Sequence, residues 1–86
     1  MQENEIHIGN LIRNHLKEDG RSASWLASKI HCKRDNIYKI FNKPSIDTAQ
    51  LLRISFVMKI NYFSYLSEYY QNMIHKMDND DLKKDS

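Results

Sequence analysis

The chain has 86 residues, of which 41% are hydrophobic and 28% charged, and its formal net charge is +2. This length fits one domain with one small core, which leaves little surface for an enzyme pocket. Its apolar runs are far shorter than the roughly 20 residues that cross a bilayer, and it begins without a basic and apolar leader. The single cysteine excludes an internal disulfide, which fits a reducing cytosol, so we expect a cytoplasmic protein. Because so small a core leaves little room for an enzyme pocket, we expect no catalytic activity.

Positive charge is concentrated in the middle of the chain. Residues 21–43 carry six basic groups against one acidic group, Asp35. Residues 1–20 carry two basic and four acidic groups, and residues 44–86 carry five basic and six acidic groups. Basic groups gathered in this way attract phosphate, but an ordinary solvated face has the same composition. Charge alone therefore leaves nucleic-acid binding and a plain exposed surface as alternatives.

Apolar residues recur at steps of three and four, which predicts an all-α chain of five short helices. The first helix spans about residues 6–18 and ends at Gly20, a residue type that suits a C-terminal cap. The second spans residues 24–30 behind a serine N-cap, and the third spans about residues 34–42, before Pro44. The positions predicted to face the core in these helices are Ile8, Leu11, Ile12, Leu16, Leu26, Ala27, Ile30, Ile37, Ile40 and Phe41.

Asp47 and Asn61 are suitable N-caps for the fourth and fifth helices. The fourth helix is predicted to bury Leu51, Leu52, Ile54 or Ser55, and Met58. In the fifth helix Phe63 and Leu66 complete the core. Residues 78–86 are almost wholly polar and are predicted to form a disordered tail after a domain of residues 1–77.

Three further apolar residues of the fifth helix continue the steps of three and four, namely Tyr70, Met73 and Met77. They extend beyond what a core of this size needs. Two interpretations remain open, because the stripe can pack against the same helix of a second copy or fold back on its own domain. The first gives a homodimer whose recognition helices lie about one DNA turn, roughly 34 Å, apart.

The second and third helices are joined by a turn of three or four residues, which is typical of a helix-turn-helix arrangement. The small side chain of Ala27 suits the point where the two helices cross, and Ile30 and Ile37 fill the space between them. Trp25 and Phe41 are interpreted as core residues. This packing leaves Arg34, Asp35, Tyr38 and Lys39 on the outer face of the third helix, with Asn36 at its margin.

Four segments carry a family resemblance: Trp25-Leu26-Ala27-Ser28-Lys29-Ile30, Asn36-Ile37-Tyr38-Lys39-Ile40-Phe41, Ser45-Ile46-Asp47-Thr48 and Leu51-Leu52-Arg53-Ile54-Ser55. Over about residues 6–70 the chain resembles the lambda-repressor-like (Cro and XRE-type) DNA-binding domains. It looks most like the small single-domain members common in Bacteroidetes. The resemblance implies a compact five-helix domain whose third helix enters the major groove, and sequence-specific binding of double-stranded DNA, usually as a dimer.

The residues predicted to bind DNA are Ser22, Ser24, Lys33, Arg34, Asp35, Asn36, Tyr38, Lys39 and Lys43. The resemblance places Arg34, Asp35 and Lys39 where family members touch bases, and the two serines where the second helix meets the phosphate backbone. Arginine suits a two-pronged contact with guanine. Asp35 either accepts a hydrogen bond from cytosine or pairs with a neighbouring cation such as Lys39.

Three residues depart from the family pattern: His31 replaces a glycine often found in the turn, Lys33 replaces a small polar cap, and Asp35 puts a negative charge among the expected base contacts. Two functions are therefore considered. The first is a transcriptional regulator that reads DNA, and the second is a protein-interaction module of the same fold, a partner regulator or an antitoxin-like protein, without DNA readout. No metal-ligand spacing or catalytic motif occurs, so neither a metal, another cofactor nor a small-molecule substrate is expected.

Overall fold

A computed structural model describes the backbone of residues 5–85 and the side chains of residues 5–77. This part of the chain contains no strand and five helices: α1 (Ile8–Glu18), α2 (Ala23–Lys29), α3 (Arg34–Phe41), α4 (Thr48–Met58) and α5 (Tyr62–Asp85). The prediction of a five-helix, all-α chain is confirmed. The side chains of the predicted tail, residues 78–86, lie outside the described residues, although the backbone of α5 continues to Asp85.

Side-chain caps mark the start of four of the five helices. At α1 the ring nitrogen Nδ1 of His7 accepts from the backbone N–H three residues further on, at 3.0 Å. The Ser22 hydroxyl accepts a hydrogen bond from the backbone N–H three residues further on, at 3.0 Å, so Ser22 rather than Ser24 caps α2. The Asp47 carboxylate accepts from the N–H of Gln50 at 2.7 Å at the start of α4. The Asn61 side chain accepts from an N–H of the first turn of α5 at 3.1 Å. Each cap satisfies a donor that has no partner inside its helix.

The core is formed by one cluster of buried side chains to which all five helices contribute. Its members are Ile8, Ile12, Leu16, Leu26, Ala27, Ile30, Ile37, Ile40, Leu51, Ile54, Met58 and Tyr62. Tyr62 is fully buried and was not predicted. In contrast, Leu52 is 44% exposed, so its predicted burial is wrong. Leu52 lies on the flank of α4, about 100° from Leu51 around the helix axis, and that flank faces outward.

The N-terminus of α1 is fixed against the end of α3. The N–H of Ile8 donates to the carbonyl of Pro44 at 2.8 Å, and the N–H of Gly9 donates to the carbonyl of Lys43 at 2.9 Å. These bonds pair free donors of one helix end with acceptors just beyond another. The approach requires glycine, because a Cβ atom at position 9 would collide with the carbonyl oxygens of the last two residues of α3.

A histidine and two tyrosines attach α5 to α1. Nδ1 of His15 lies 2.8 Å from the hydroxyl of Tyr62, and Nε2 lies 3.3 Å from the hydroxyl of Tyr65. Burial, with a smaller contribution from Tyr65, raises the pKa of Tyr62 well above its usual range. The hydroxyl of Tyr62 therefore stays protonated as a neutral hydrogen-bonding group within the core.

Beyond this attachment, α5 projects from the body of the domain. The helix has 24 residues, which corresponds to a length of about 36 Å. The described part of the chain measures 55 × 23 × 21 Å, so its long dimension is more than twice the other two. No helix among the described residues has both the length and the apolar character needed to cross a membrane.

Replacement of Gly9 by alanine tests the α1–α3 junction. Alanine normally stabilises a helix relative to glycine, but here the added Cβ meets backbone atoms that cannot rotate away. We expect Gly9→Ala to lower the free energy of unfolding by about 2–3 kcal/mol, measured by urea denaturation. Gly20→Ala is the control, because open space surrounds that position and only its left-handed backbone opposes alanine, by about 1 kcal/mol. Equal losses for the two variants would contradict the steric explanation.

Replacement of Tyr62 by phenylalanine tests the attachment of α5. Loss of the hydroxyl leaves a ring nitrogen of His15 unpaired, so we expect a decrease of about 1–2 kcal/mol in the free energy of unfolding. Tyr70→Phe, at an exposed position, should change nothing measurable. Since the raised pKa keeps the folded state protonated, the unmodified protein should also lose stability above about pH 10, the ordinary tyrosine pKa. Tyr62→Phe should flatten that loss, and an unchanged alkaline slope contradicts the assignment.

Candidate nucleic-acid interface

The turn between α2 and α3 places the two helices in their relative orientation. His31 adopts a left-handed backbone conformation with φ of 59°. The N–H of Cys32 then donates to the carbonyl of Ala27 at 2.9 Å, which is the backbone bond of a Schellman helix ending. His31 thus occupies a position that suits glycine, with the strain that a Cβ atom brings to this conformation.

The same ending recurs after α1 and α4. Gly20 has φ of 69° and Lys59 has φ of 58°. In each case the next residue donates to a carbonyl five positions earlier, Arg21 to Leu16 at 2.8 Å and Ile60 to Ser55 at 3.1 Å. Two of the three left-handed positions are therefore occupied by residues other than glycine.

α2 and α3 pack directly against each other. Ala27, Ile30, Ile37 and Ile40 are all buried, with exposed fractions of 4% or less, as predicted for the inner sides of the two helices. Because α3 is anchored through Ile37 and Ile40, its opposite side faces solvent. Helix geometry places Asp35 near the centre of that outer face, with Tyr38 and Lys39 on either side of it.

All nine residues predicted to bind DNA have exposed side chains. They are Ser22, Ser24, Lys33, Arg34, Asp35, Asn36, Tyr38, Lys39 and Lys43. Tyr38 is half exposed, and its ring packs edge-on against Phe41 with the centroids 5.8 Å apart. Phe41 is partly buried and packs against the core cluster, so its ring connects the exposed ring of Tyr38 to the core.

The first turn of α3 has no side-chain cap. Within the described residues, the Lys33 side chain at the N-cap position makes no hydrogen bond to the helix. The carbonyl of Lys33 accepts from the N–H of Asn36 at 3.0 Å and from the Cys32 thiol at 3.5 Å. Asp35 lies in this first turn, where a carboxylate complements the positive end of the helix dipole. The negative charge of Asp35 therefore has a structural explanation that needs no ligand.

A shallow groove runs between the outer side of α3 and the start of α4. Its lining residues are Asn36, Lys39, Ile40, Lys43 and Gln50, around a volume of about 120 Å³. Gln50 was not predicted as a site residue. The only sequence signal for it is its place in the first turn after the Asp47 cap, which does not indicate that this turn lies beside α3.

The basic residues of segment 21–43 are divided between two surfaces. Arg21 and Lys29 do not lie in the groove beside α3 but line a different one, together with Lys59. The guanidinium of Arg21 stacks over the Trp25 ring, 4.2 Å from its centroid. Trp25 is only partly buried. The concentration of charge along the sequence is thus not a concentration on one face.

The apolar stripe of α5 is open to solvent. Tyr70 is 58% exposed, Met73 38% and Met77 56%. Ile74, which was not predicted, lies beside them at 36%. Their exposure shows that this stripe does not fold back on its own domain, and packing against a second copy stays a prediction.

Comparisons of the chain with protein-family models, with curated proteins and with solved structures find no match. Among the described residues, no three histidine, cysteine, aspartate or glutamate side chains come together as a possible metal site.

Replacement of His31 by glycine tests the left-handed turn. Glycine adopts this conformation without strain, so we expect His31→Gly to raise the free energy of unfolding by about 1 kcal/mol. Lys59→Gly should act in the same direction, because its backbone is equivalent. His75→Gly is the matched control within helix α5, where glycine should lower stability by about 1 kcal/mol. Thermal unfolding measures the stability of the three variants. A His31→Gly variant that is less stable than the unmodified protein would contradict the left-handed conformation of the turn.

Proposed function

We propose that the chain is a sequence-specific double-stranded DNA-binding protein of the lambda-repressor-like helix-turn-helix kind, acting as a cytoplasmic regulator of transcription. The observation that carries this proposal is the composition of the outer face of α3. Arg34, Asp35, Tyr38 and Lys39 are exposed on that face, with Asn36 at its margin, and the opposite side of the helix packs against α2.

The size and side chains of α3 suit the major groove. The helix has eight residues; an α-helix with its side chains is about 10–12 Å across, and the major groove, about 12 Å wide, admits one. In this binding mode the N-terminal residues of the helix meet base edges. Arg34 in the first turn has the donors for guanine, and the Asn36 amide can pair with adenine.

Phosphate contacts in this proposal come from the edges of the same surface. Lys39 and Lys43 line the groove beside α3 together with Gln50, and lysine and glutamine both donate to phosphate oxygens. At α2 the Ser22 hydroxyl is already used as a cap. The first-turn N–H groups and the Ser24 hydroxyl are then the donors toward phosphate.

The exposed stripe of α5 supplies the second part of the proposal. We infer that Tyr70, Met73 and Met77 pack against the same residues of a second copy, because large apolar side chains exposed together on a projecting helix mark an interaction surface. Such a homodimer presents two recognition helices to half-sites about one helical turn apart, roughly 34 Å.

Binding to duplex DNA tests the proposal. We expect fluorescence-anisotropy titration of a random duplex pool to show binding that weakens steeply between about 50 and 200 mM salt, because phosphate contacts release counterions. Arg34→Ala/Lys39→Ala should weaken binding at least about tenfold. The matched control is Arg13→Ala/Lys17→Ala, which removes the same two charges from exposed positions of α1 and should bind almost as the unmodified protein does.

Two results would contradict the proposal. A folded protein that does not bind at low salt has no DNA function of this kind. Equal losses in the α3 and α1 double variants mean that net charge, and not the face of α3, governs binding.

A further inference from the structure

A second basic surface lies at the C-terminal ends of α2 and α4. Its groove has a volume of about 430 Å³ and is lined by Asp19, Arg21, Trp25, Lys29, Val57, Met58 and Lys59. Three cations thus face one carboxylate around an indole ring. The stacking of Arg21 on Trp25 restrains the guanidinium and leaves its N–H edge available to an acceptor.

An apolar groove adjoins this basic groove at Lys59. It has a volume of about 360 Å³ and is lined by Leu52, Ser55, Phe56, Lys59, Ile60, Asn61 and Phe63. Phe56 is 72% exposed. The two grooves occupy opposite flanks of the last turns of α4 and share Lys59, so one extended ligand can reach both by crossing the end of that helix.

Helix dipoles explain only part of this arrangement. A cation at the C-terminal end of a helix is favourable, which accounts for Lys29 at the end of α2 and Lys59 after α4. It does not account for Arg21, which precedes α2 and is held against Trp25. Nor does it account for a phenylalanine as exposed as Phe56, since large apolar residues exposed next to a groove mark an interaction surface.

We propose that these two grooves form one docking surface for an acidic segment of a partner protein. Carboxylates of the segment pair with Arg21, Lys29 and Lys59, and its apolar side chains cover Phe56 and Leu52. Charge complementarity selects the segment, and burial of the exposed aromatic ring stabilises the complex. This proposal does not depend on DNA binding by α3.

The composition of the surface favours a protein segment over nucleic acid. Phe56 is 72% exposed and Leu52 44% exposed, and these apolar side chains gain from burial against a protein segment but not from contact with a phosphate backbone. The surface also lies at the opposite end of α4 from Gln50, about 13 Å away along the helix axis from Lys59. A partner docked here leaves the outer face of α3 free.

Trp25 provides a direct reporter, because it is the only tryptophan of the chain. The probe is a synthetic peptide of about twelve residues in which aspartate and glutamate flank leucine and phenylalanine. Its twin carries asparagine and glutamine in place of the acids. We expect the acidic peptide to shift and saturate the fluorescence of Trp25, more weakly at high salt, and the neutral twin to bind at least about tenfold less tightly.

Variants locate the binding surface. Lys29→Gln/Lys59→Asn removes two charges from it, and asparagine tolerates the left-handed backbone of position 59. This double variant should bind the acidic peptide about tenfold more weakly, and Phe56→Ala should also weaken it. The matched control, Lys39→Gln/Lys43→Gln, removes two charges from the groove beside α3 and should bind the peptide unchanged.

The possible results separate the two proposals of function. Peptide binding retained by a variant that has lost DNA binding supports the docking surface, even if the DNA proposal fails. The docking proposal is overturned if the acidic peptide leaves Trp25 fluorescence unchanged or binds no better than its neutral twin. It is also overturned if Lys29→Gln/Lys59→Asn loses DNA binding but keeps peptide binding.

A third result would replace the acidic segment by a second copy of the chain as the occupant of the surface, namely self-association in sedimentation that Phe56→Ala abolishes.

Discussion

The close approach of α1 to the end of α3 is the constraint on which the arrangement of the molecule depends. Gly9 lacks the Cβ atom that would collide with α3 backbone, and this absence lets the N–H groups of Ile8 and Gly9 reach the carbonyls of Pro44 and Lys43. Donors at the start of one helix and acceptors beyond the end of another thereby satisfy each other without solvent. Because its end is held in this way and Ile37 is buried, α3 packs one side against the core and exposes the other side to solvent.

Helical periodicity and capping chemistry predict most of the fold. The five helices, the caps Ser22 and Asp47 and nearly all of the core follow from local pattern, because each depends on residues within one turn. The exposure of Leu52 and the burial of Tyr62 do not follow from local pattern. Both residues lie on flanks of their helices, and whether a flank is covered depends on a neighbouring helix that is distant in sequence. The hydroxyl of Tyr62 lies within hydrogen-bond distance of His15 of α1. This contact joins residues far apart in sequence, so local pattern does not predict it.

The candidate site shows the same division between local and distant information. The outer face of α3 is predictable from the sequence, since burial of two isoleucines on one side fixes which residues point outward. The grouping of the basic residues on the surface cannot be predicted from the sequence in this way. Arg21 and Lys29 belong to the same basic segment as Lys39, yet the turn at His31 sends α2 and α3 in different directions. Their charges therefore serve two surfaces, and Lys59, from a segment of net negative charge, joins one of them.

Because α5 is long, a small change of angle where it attaches to α1 moves its far end by several ångströms. From Tyr62 to Met77 the helix extends about 22 Å, so a tilt of about 10° at its base moves Met77 by about 4 Å. One base-pair step of DNA is about 3.4 Å. In the DNA-binding homodimer that we propose, the packing of His15 against the two tyrosines sets the distance between the two recognition helices, and a single substitution in that contact changes the half-site spacing that the dimer can match.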